Sequence, residues 1–225
     1  MHGIAPRRRA FAGALSVSSI QIEDHDTLGR DERASGLGDI QLGLKYRFWD
    51  DGVEAALLGA VKAPTGDTSD DDRSGEKIAP ELQPGTGSWD LTAGVAVSKR
   101  LTDRLSLTHA IQYTYKDEGA QDEKLGDALR SDLGMTCSLR PAGAVPNLTA
   151  GLELQHHWVQ RDRSRDDRKV LDSGGTTILL SPGLAAQLTK SVNLYCAMPI
   201  PIYQNLGGEH EELKFSLLSG VSWQF

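Results

Sequence analysis

Apolar and polar residues alternate along most of this chain, which is the pattern of β-strands with two different faces. Between Asp39 and Phe48, every even position is apolar and every odd position is polar or glycine. A helix would scatter these apolar residues, whereas a strand places them all on one side. The same alternation predicts ten strands, at residues 10–22, 39–48, 53–63, 88–98, 104–115, 128–139, 147–160, 176–188, 192–203 and 212–225.

The connections between these predicted strands alternate between short and long. Short connections lie at 50–52, 100–103, 140–146 and 189–191, and long polar ones at 23–37, 64–87, 116–127, 161–175 and 204–211. Outer-membrane barrels have short periplasmic turns and long external loops, and their strands need only about 10 residues each. We therefore predict an all-β, antiparallel, up-and-down transmembrane β-barrel in which residues 1–225 form one domain. Ten strands are visible, and a truncated N-terminus would make the native number twelve.

The alternation also predicts which side chains face lipid and which face the lumen. Apolar positions such as Leu57, Leu133 and Leu184 are expected to point outward. A Lys or Arg facing the bilayer midplane costs about 2–4 kcal/mol, so the charged positions belong on the opposite face. The residues expected to line the lumen are Lys45, Arg47, Glu54, Lys62, Asp90, Arg130, Asp132, Glu153, His157 and Lys214. His109 and His156 fall on the outward face, which indicates a bulge or an interfacial position for one of them.

Aromatic residues lie near the ends of the predicted strands, as in the girdles at the headgroup level of membrane barrels. Tyr46, Trp89 and Trp158 are examples. The alternative is that they are core aromatics of a water-soluble β protein. The chain ends on an amphipathic strand with Trp223 and a terminal Phe225. We expect these two residues to form the signal that the outer-membrane assembly machinery reads.

Composition and charge exclude several other classes of protein. The chain has 225 residues, a net charge of -7 and no basic stripe with interleaved aromatics, which argues against binding to nucleic acid. Its mean hydropathy is -0.36, and no apolar run approaches the roughly 18 residues of a membrane helix. Two cysteines, Cys137 and Cys196, make neither a disulfide framework nor a metal site. Both are predicted to be small lipid-facing side chains.

The N-terminus has two interpretations. A basic stretch at 2–9 precedes a mildly apolar one at 10–22, which resembles a weak signal peptide. The apolar part is short and lacks a clear cleavage site, which favours a first β-strand.

Several segments together resemble one known family. Gly-Leu-Gly-Asp at 36–39, Lys-Ala-Pro-Thr-Gly-Asp at 62–67, Pro-Gly-Thr-Gly-Ser-Trp-Asp at 84–90 and Pro-Ile-Pro-Ile-Tyr at 199–203 occur in order. They are similar to the outer-membrane proteins of the MetA-pathway of phenol degradation family, which are described as transporters. This resemblance covers roughly residues 36–225. It implies a bacterial outer-membrane barrel that admits small, aromatic or hydrophobic compounds, without an established set of catalytic residues.

Neither a catalytic residue nor a cofactor or metal site is predicted. Pro64 and Gly66 set a turn at the start of the longest loop, which either remains in solvent or folds into the barrel as a constriction. A membrane-embedded hydrolase would need a serine and a histidine in contact on the outer face, and Ser131 with His156 is the available pair.

The leading functional hypothesis is a passive channel for small solutes, and the alternative is a structural or partner-binding barrel without an open pore. Small barrels fill with side chains, so ten strands do not guarantee a pore. The expected surroundings are outer-membrane lipid, lipopolysaccharide and the assembly machinery, with small hydrophobic solutes as possible cargo.

Overall fold

The computed structural model describes residues 10–25, 31–71, 75, 77, 83–141, 144–208 and 213–223; for 17–25 and 31–34 it describes the backbone alone. Its strands are β1 (Ala10–His25), β2 (Asp31–Asp51), β3 (Val53–Ala63), β4 (Asp90–Arg100), β5 (Leu105–Lys116), β6 (Ala128–Ser138), β7 (Asn147–Val159), β8 (Gly175–Gln187), β9 (Val192–Ala197), β10 (Ile200–Leu206) and β11 (Leu218–Trp223). A short 3-10 turn at Ala120–Asp122 lies between β5 and β6. No helix in the described ranges is long and apolar enough to cross a bilayer.

The strands form one antiparallel sheet in which each strand pairs with its neighbour in sequence, from β1 to β9 and then β11. Both β9 and β10 pair with β8, at opposite ends of it, so they are two parts of one interrupted strand. Pro199 lies in the interruption, and Pro201 follows within β10. Proline has no amide hydrogen to donate to a ladder, which explains the break. Within the described residues, no pairing joins β1 to β11, so the curled sheet is open there.

The distribution of apolar side chains is the inverse of that in a water-soluble protein. Among the described apolar residues, the buried ones are Ala56 and Leu179, at 4% and 8% exposure, while large apolar side chains on every strand from β2 to β11 are exposed. Buried side chains are mostly polar, including Asp39, Ser88 and Ser181. The sheet therefore has an exposed apolar face and a polar face, and the predicted transmembrane β-barrel type of fold is confirmed.

Short and long connections are sorted to opposite ends of the sheet. Residue 52 and the described parts of segments 101–104, 139–146 and 188–191 form the short-turn rim. The described parts of segments 64–89, 117–127, 160–174 and 207–217 lie at the long-loop rim. The predicted strand 53–63 matches β3 at both ends, and most other bounds agree within two residues. By the general architecture of outer-membrane barrels, the long-loop rim is the external one.

The prediction of a loop at 23–37 was wrong. β1 continues to His25 and β2 begins at Asp31, and the two strands pair as far as His25 with Asp31. This stretch is mostly polar and lacks a regular alternation, so its hydropathy is that of a loop. A hairpin that extends beyond the bilayer has water on both faces and needs no alternation, because its backbone hydrogen bonds form regardless of polarity.

The predicted last strand, 212–225, began too early, and its residues 212, 224 and 225 lie outside the described residues. β11 covers only Leu218–Trp223, and residues 213–217 lack a ladder. Instead, the Gln204 side chain exchanges two hydrogen bonds with the backbone of Leu213, and the Ser216 amide donates to the Pro199 carbonyl. The prolines of the β9–β10 stretch remove the amide donors that a regular ladder here would need.

Polar groups on the apolar face are paired with each other. His109, one of the two histidines predicted to face outward, has Nε2 at 3.0 Å from Ser131 Oγ. His156 lies directly opposite Ser131 on β7. Because each group gains a neighbour of matching polarity, no bulge is needed, and the registers of β5 to β7 are continuous. Cys137 and Cys196 are both free and exposed.

Candidate functional site

Residues predicted to line the lumen are arranged in rows across the polar face. Arg47 on β2 and Asp132 on β6 belong to one row, and Ala56, Ala96 and Ala110 on β3, β4 and β5 lie between them. In the adjacent row toward the long-loop rim, Leu58, Gly94 and Gln112 lie between Lys45 and the paired residues Arg130 and His157. The charged groups therefore lie on two sides of a wall of small residues.

A cavity lies against this wall on the side of β2 and β3. Its volume is about 290 Å³, and it contacts Lys45, Arg47, Glu54, Ala56 and Ala96. Arg47 forms ion pairs with Asp50 at 3.7 Å and Glu54 at 3.4 Å. Its Nε is buried and has no hydrogen-bond partner. The cavity thus combines a methyl-lined wall with a guanidinium group that retains donor capacity.

A second set of charged and polar side chains lies on the other side of the wall, on β6 and β7. Arg130 Nε donates to Asp132 Oδ2 at 2.6 Å, and Gln155 Nε2 donates to Glu153 Oε1 at 3.1 Å. His157 Nε2 is 4.0 Å from Asp132 Oδ1, and both atoms are buried without a hydrogen-bond partner. Because these opposite charges lie next to each other, the polar face carries charges of both signs.

Lys62 is the centre of a compact network at the long-loop rim, which we call the Lys62 cluster: Asp39, Lys62, Thr86, Ser88 and Asp90. Lys62 Nζ lies 3.1 Å from Asp39 Oδ2 and 2.8 Å from Asp90 Oδ2, and it donates to the Thr86 hydroxyl. Ser88 Oγ donates to Asp90 Oδ1 at 2.7 Å. Asp39, Ser88 and Asp90 are all buried. One ammonium group therefore balances two buried carboxylates.

The Lys62 cluster holds both ends of the longest loop, 64–89, against the polar face. Asp39 accepts hydrogen bonds from the amides of Gly66 and Thr86, at 3.0 and 3.1 Å, and from the Thr86 hydroxyl. The backbones of Gly66 and Gly85 touch, so that a Cβ built on Gly85 would lie 2.5 Å from the Gly66 carbonyl carbon. The described ends of the loop are thus folded back onto β2, β3 and β4.

Gln83 closes the same arrangement from within the loop. Its side chain accepts from the Asp70 amide at 3.0 Å and donates to the Asp70 carbonyl at 2.8 Å. The roles of Asp39, Thr86, Ser88 and Gln83 were not predicted from the sequence. The sequence does place Asp39, Lys62 and Asp90 each close to a glycine-rich segment. Whether the three side chains come into contact depends on how those segments fold.

The remaining predicted residues are not brought together with these groups. Lys214 is exposed in the irregular segment 213–217, away from any strand ladder. Trp223 is 66% exposed at the end of β11, and Phe225 lies outside the described residues. Within the described ranges, no group of three or more His, Cys, Asp or Glu side chains is placed to hold a metal ion.

Comparison with known proteins places these features in a family. A family model with the description "Putative MetA-pathway of phenol degradation" matches residues 10–198. The chain belongs to this family. Three of the four segments that carried the sequence resemblance meet at the Lys62 cluster in the structure: 36–39, 62–67 and 84–90. A search of curated proteins found no significant match.

Among solved structures, the fold of this family member is similar to that of an outer membrane channel from Pseudomonas putida. The TM-score is 0.73 at 16% sequence identity, and the alignment covers 97% of this chain and 78% of the channel. At this identity the likeness concerns the fold. A barrel sheet with an exposed apolar face needs a bilayer, and barrels of this type lie in the bacterial outer membrane. The family member described here is accordingly an outer-membrane protein.

Proposed function

We propose that this chain is an outer-membrane channel that lets small solutes pass along its polar face. The observation that carries the proposal is the cavity between Arg47 and the alanine wall, on the polar face of a sheet whose other face is apolar and exposed. Charges of both signs offer hydrogen bonds to a solute without a net field of one sign. The similarity in fold to a channel supports the same function.

The proposed cargo is small and includes aromatic compounds. The family description refers to phenol degradation, and the cavity has the matching chemistry. Methyl groups of Ala56 and Ala96 offer a flat apolar wall, and Arg47 and Lys45 offer donors for a hydroxyl or carboxylate. The Lys62 cluster holds the loop ends over the polar face, where they narrow the route from the long-loop rim.

Reconstitution with a pair of matched variants tests the channel. Ala96 faces the cavity and Val95, its neighbour on β4, is exposed on the apolar face. In planar bilayers the unmodified protein should conduct K⁺ and Cl⁻, and proteoliposomes should take up 4-hydroxybenzoate. Ala96→Trp should reduce both several-fold, because an indole fills the cavity, whereas Val95→Trp should leave them unchanged. Absence of flux through the unmodified protein would refute the channel and favour a barrel without an open pore.

A further inference from the structure

A groove at the long-loop rim has the position of a lipid headgroup site. Its volume is about 680 Å³, and it is formed by the ends of β7, β8 and β10 with their loops. The residues that line it include Trp158, Arg161, Lys169, Ser173, Thr176 and Asn205. Trp158, Thr176 and Asn205 lie side by side in one row of the apolar face. Val159, Gly175 and Leu206, from the row of the opposite face, also line the groove. The groove therefore reaches the apolar face without being confined to it.

The depth of the groove in the membrane follows from its aromatic neighbours. Trp158 and Tyr203, the aromatics of β7 and β10, are both exposed on the apolar face. Such rings mark the headgroup level of a bilayer. Arg161 follows β7 three residues beyond Trp158. The cations of the groove thus lie just outside the aromatic level, where lipid phosphates are found.

Charge distinguishes this groove from the rest of the rim. Arg161 and Lys169 are its only charged residues, and no carboxylate lines it within the described part of the chain. Two other arginines of the same loops are paired: Arg163 with Asp167 at 3.0 Å and Arg165 with Asp122 at 3.2 Å. Arg161 and Lys169 form no ion pair within the described ranges. In a protein of net charge -7, this is a local site for an anion.

We infer that this groove binds a phosphate group of lipid A, the lipopolysaccharide anchor in the outer leaflet. Arg161 and Lys169 supply the positive charge, and Asn205 also lines the groove. Trp158 packs against the first part of the acyl region. Lipopolysaccharide is the phosphorylated lipid that faces the external rim of an outer-membrane barrel, which is why it is the proposed occupant. This inference holds whether or not the barrel conducts.

Binding of purified lipopolysaccharide to the full-length protein in detergent micelles tests the site, with the complex measured by native mass spectrometry. The double variant Arg161→Gln, Lys169→Gln should bind about 10- to 30-fold more weakly, as expected for two cations at an anionic lipid surface. The matched control is Arg104→Gln, Lys190→Gln, which removes two exposed cations at the short-turn rim. This control should bind like the unmodified protein.

A second arm uses the unmodified protein and needs no variant to fold. Lipopolysaccharide with its lipid A phosphates removed enzymatically should bind as weakly as intact lipopolysaccharide binds to the double variant. Equal binding of the two lipid forms, or unchanged binding by a correctly folded double variant, would overturn the inference. Heat-modified gel mobility reports folding, and bilayer conductance measured on the same samples keeps this result separate from the channel proposal.

Discussion

At the scale of single residues, Lys62 is the side chain at the centre of the contacts that hold loop 64–89. It is surrounded by Asp39 and Asp90, and its own side chain is only 17% exposed. Removing one partner of a buried ion pair is strongly destabilising, because the remaining charge stays buried without compensation. Here two carboxylates would remain, facing each other across the position of the missing ammonium group.

Replacing Lys62 with methionine should therefore lower the free energy of unfolding by about 3 kcal/mol, the low end for a broken buried pair. Tryptophan fluorescence during urea unfolding from lipid vesicles measures this change. Lys99→Met, at an exposed position on β4, is the control and should change stability by less than about 0.5 kcal/mol. Adding Asp90→Asn to Lys62→Met should recover part of the loss, and a further loss would contradict the arrangement.

A second residue-scale prediction concerns pH and Asp127, in the loop between β5 and β6. Burial alone would raise the pKa of Asp127, but hydrogen bonds from the Tyr113 hydroxyl and the Lys116 amide outweigh it and lower the pKa below the ordinary 3.8. A depressed folded-state pKa stabilises the folded form above the unfolded-state pKa, and this stabilisation is lost as pH falls through the folded value.

The unmodified protein should thus be more stable than Asp127→Asn from pH 6 to about pH 4, with the difference shrinking toward pH 2. Urea unfolding in vesicles at several pH values measures both proteins. A difference that stayed constant over the acidic range would show that ionisation of Asp127 does not contribute to the stability.

At the scale of elements, loop 64–89 is held by a contact between the backbones of Gly66 and Gly85, and this contact leaves no room for a Cβ atom on either residue. A Cβ on Gly85 would lie 2.5 Å from the carbonyl carbon and oxygen of Gly66, well inside contact distance. Gly85→Ala should therefore detach the loop from Asp39 while the strands remain folded. Limited trypsin digestion should cleave within 64–89 faster than in the unmodified protein, and conductance should rise.

The control for this loop prediction is Gly134→Ala on β6. A Cβ at Gly134 meets its nearest atom, Glu153 Cγ, at an ordinary 3.8 Å. This variant should be digested and should conduct like the unmodified protein. Equal resistance of Gly85→Ala to trypsin would mean that the loop is not held by this contact.

Much of the element level could be predicted from the sequence, because alternation reflects a local requirement. The stretch Asp39–Phe48 of β2 has apolar residues on one face and polar residues or glycine on the other, and it carries that pattern within its own ten residues. The polar hairpin of β1 and β2 beyond Ile22 carries no such pattern, since it has no lipid to face. The Lys62 cluster was missed because Thr86 and Asp39 are 47 positions apart and meet only through folding of the loop.

At the scale of the whole molecule, the two faces of the sheet should respond oppositely to the same charge. Leu133 is exposed on the apolar face, and Thr108 lines the opposite face beside the cavity. Leu133→Arg should destabilise the protein by about 2–4 kcal/mol, since the arginine meets the interior of the bilayer. Thr108→Arg should cost much less. Urea unfolding from vesicles compares the two, and similar losses would mean that the faces are assigned wrongly.

The scarcity of buried apolar residues changes what a shortened side chain means in this molecule. In a water-soluble core, a leucine trimmed to alanine leaves an empty space that rigid neighbours cannot fill, and this void adds to the penalty. In a bilayer, the exposed leucines of the apolar face meet acyl chains, which are fluid and close any gap. The lipid therefore determines how far side-chain size can vary on the outer surface. The property that must be kept there is the apolar character of the side chains.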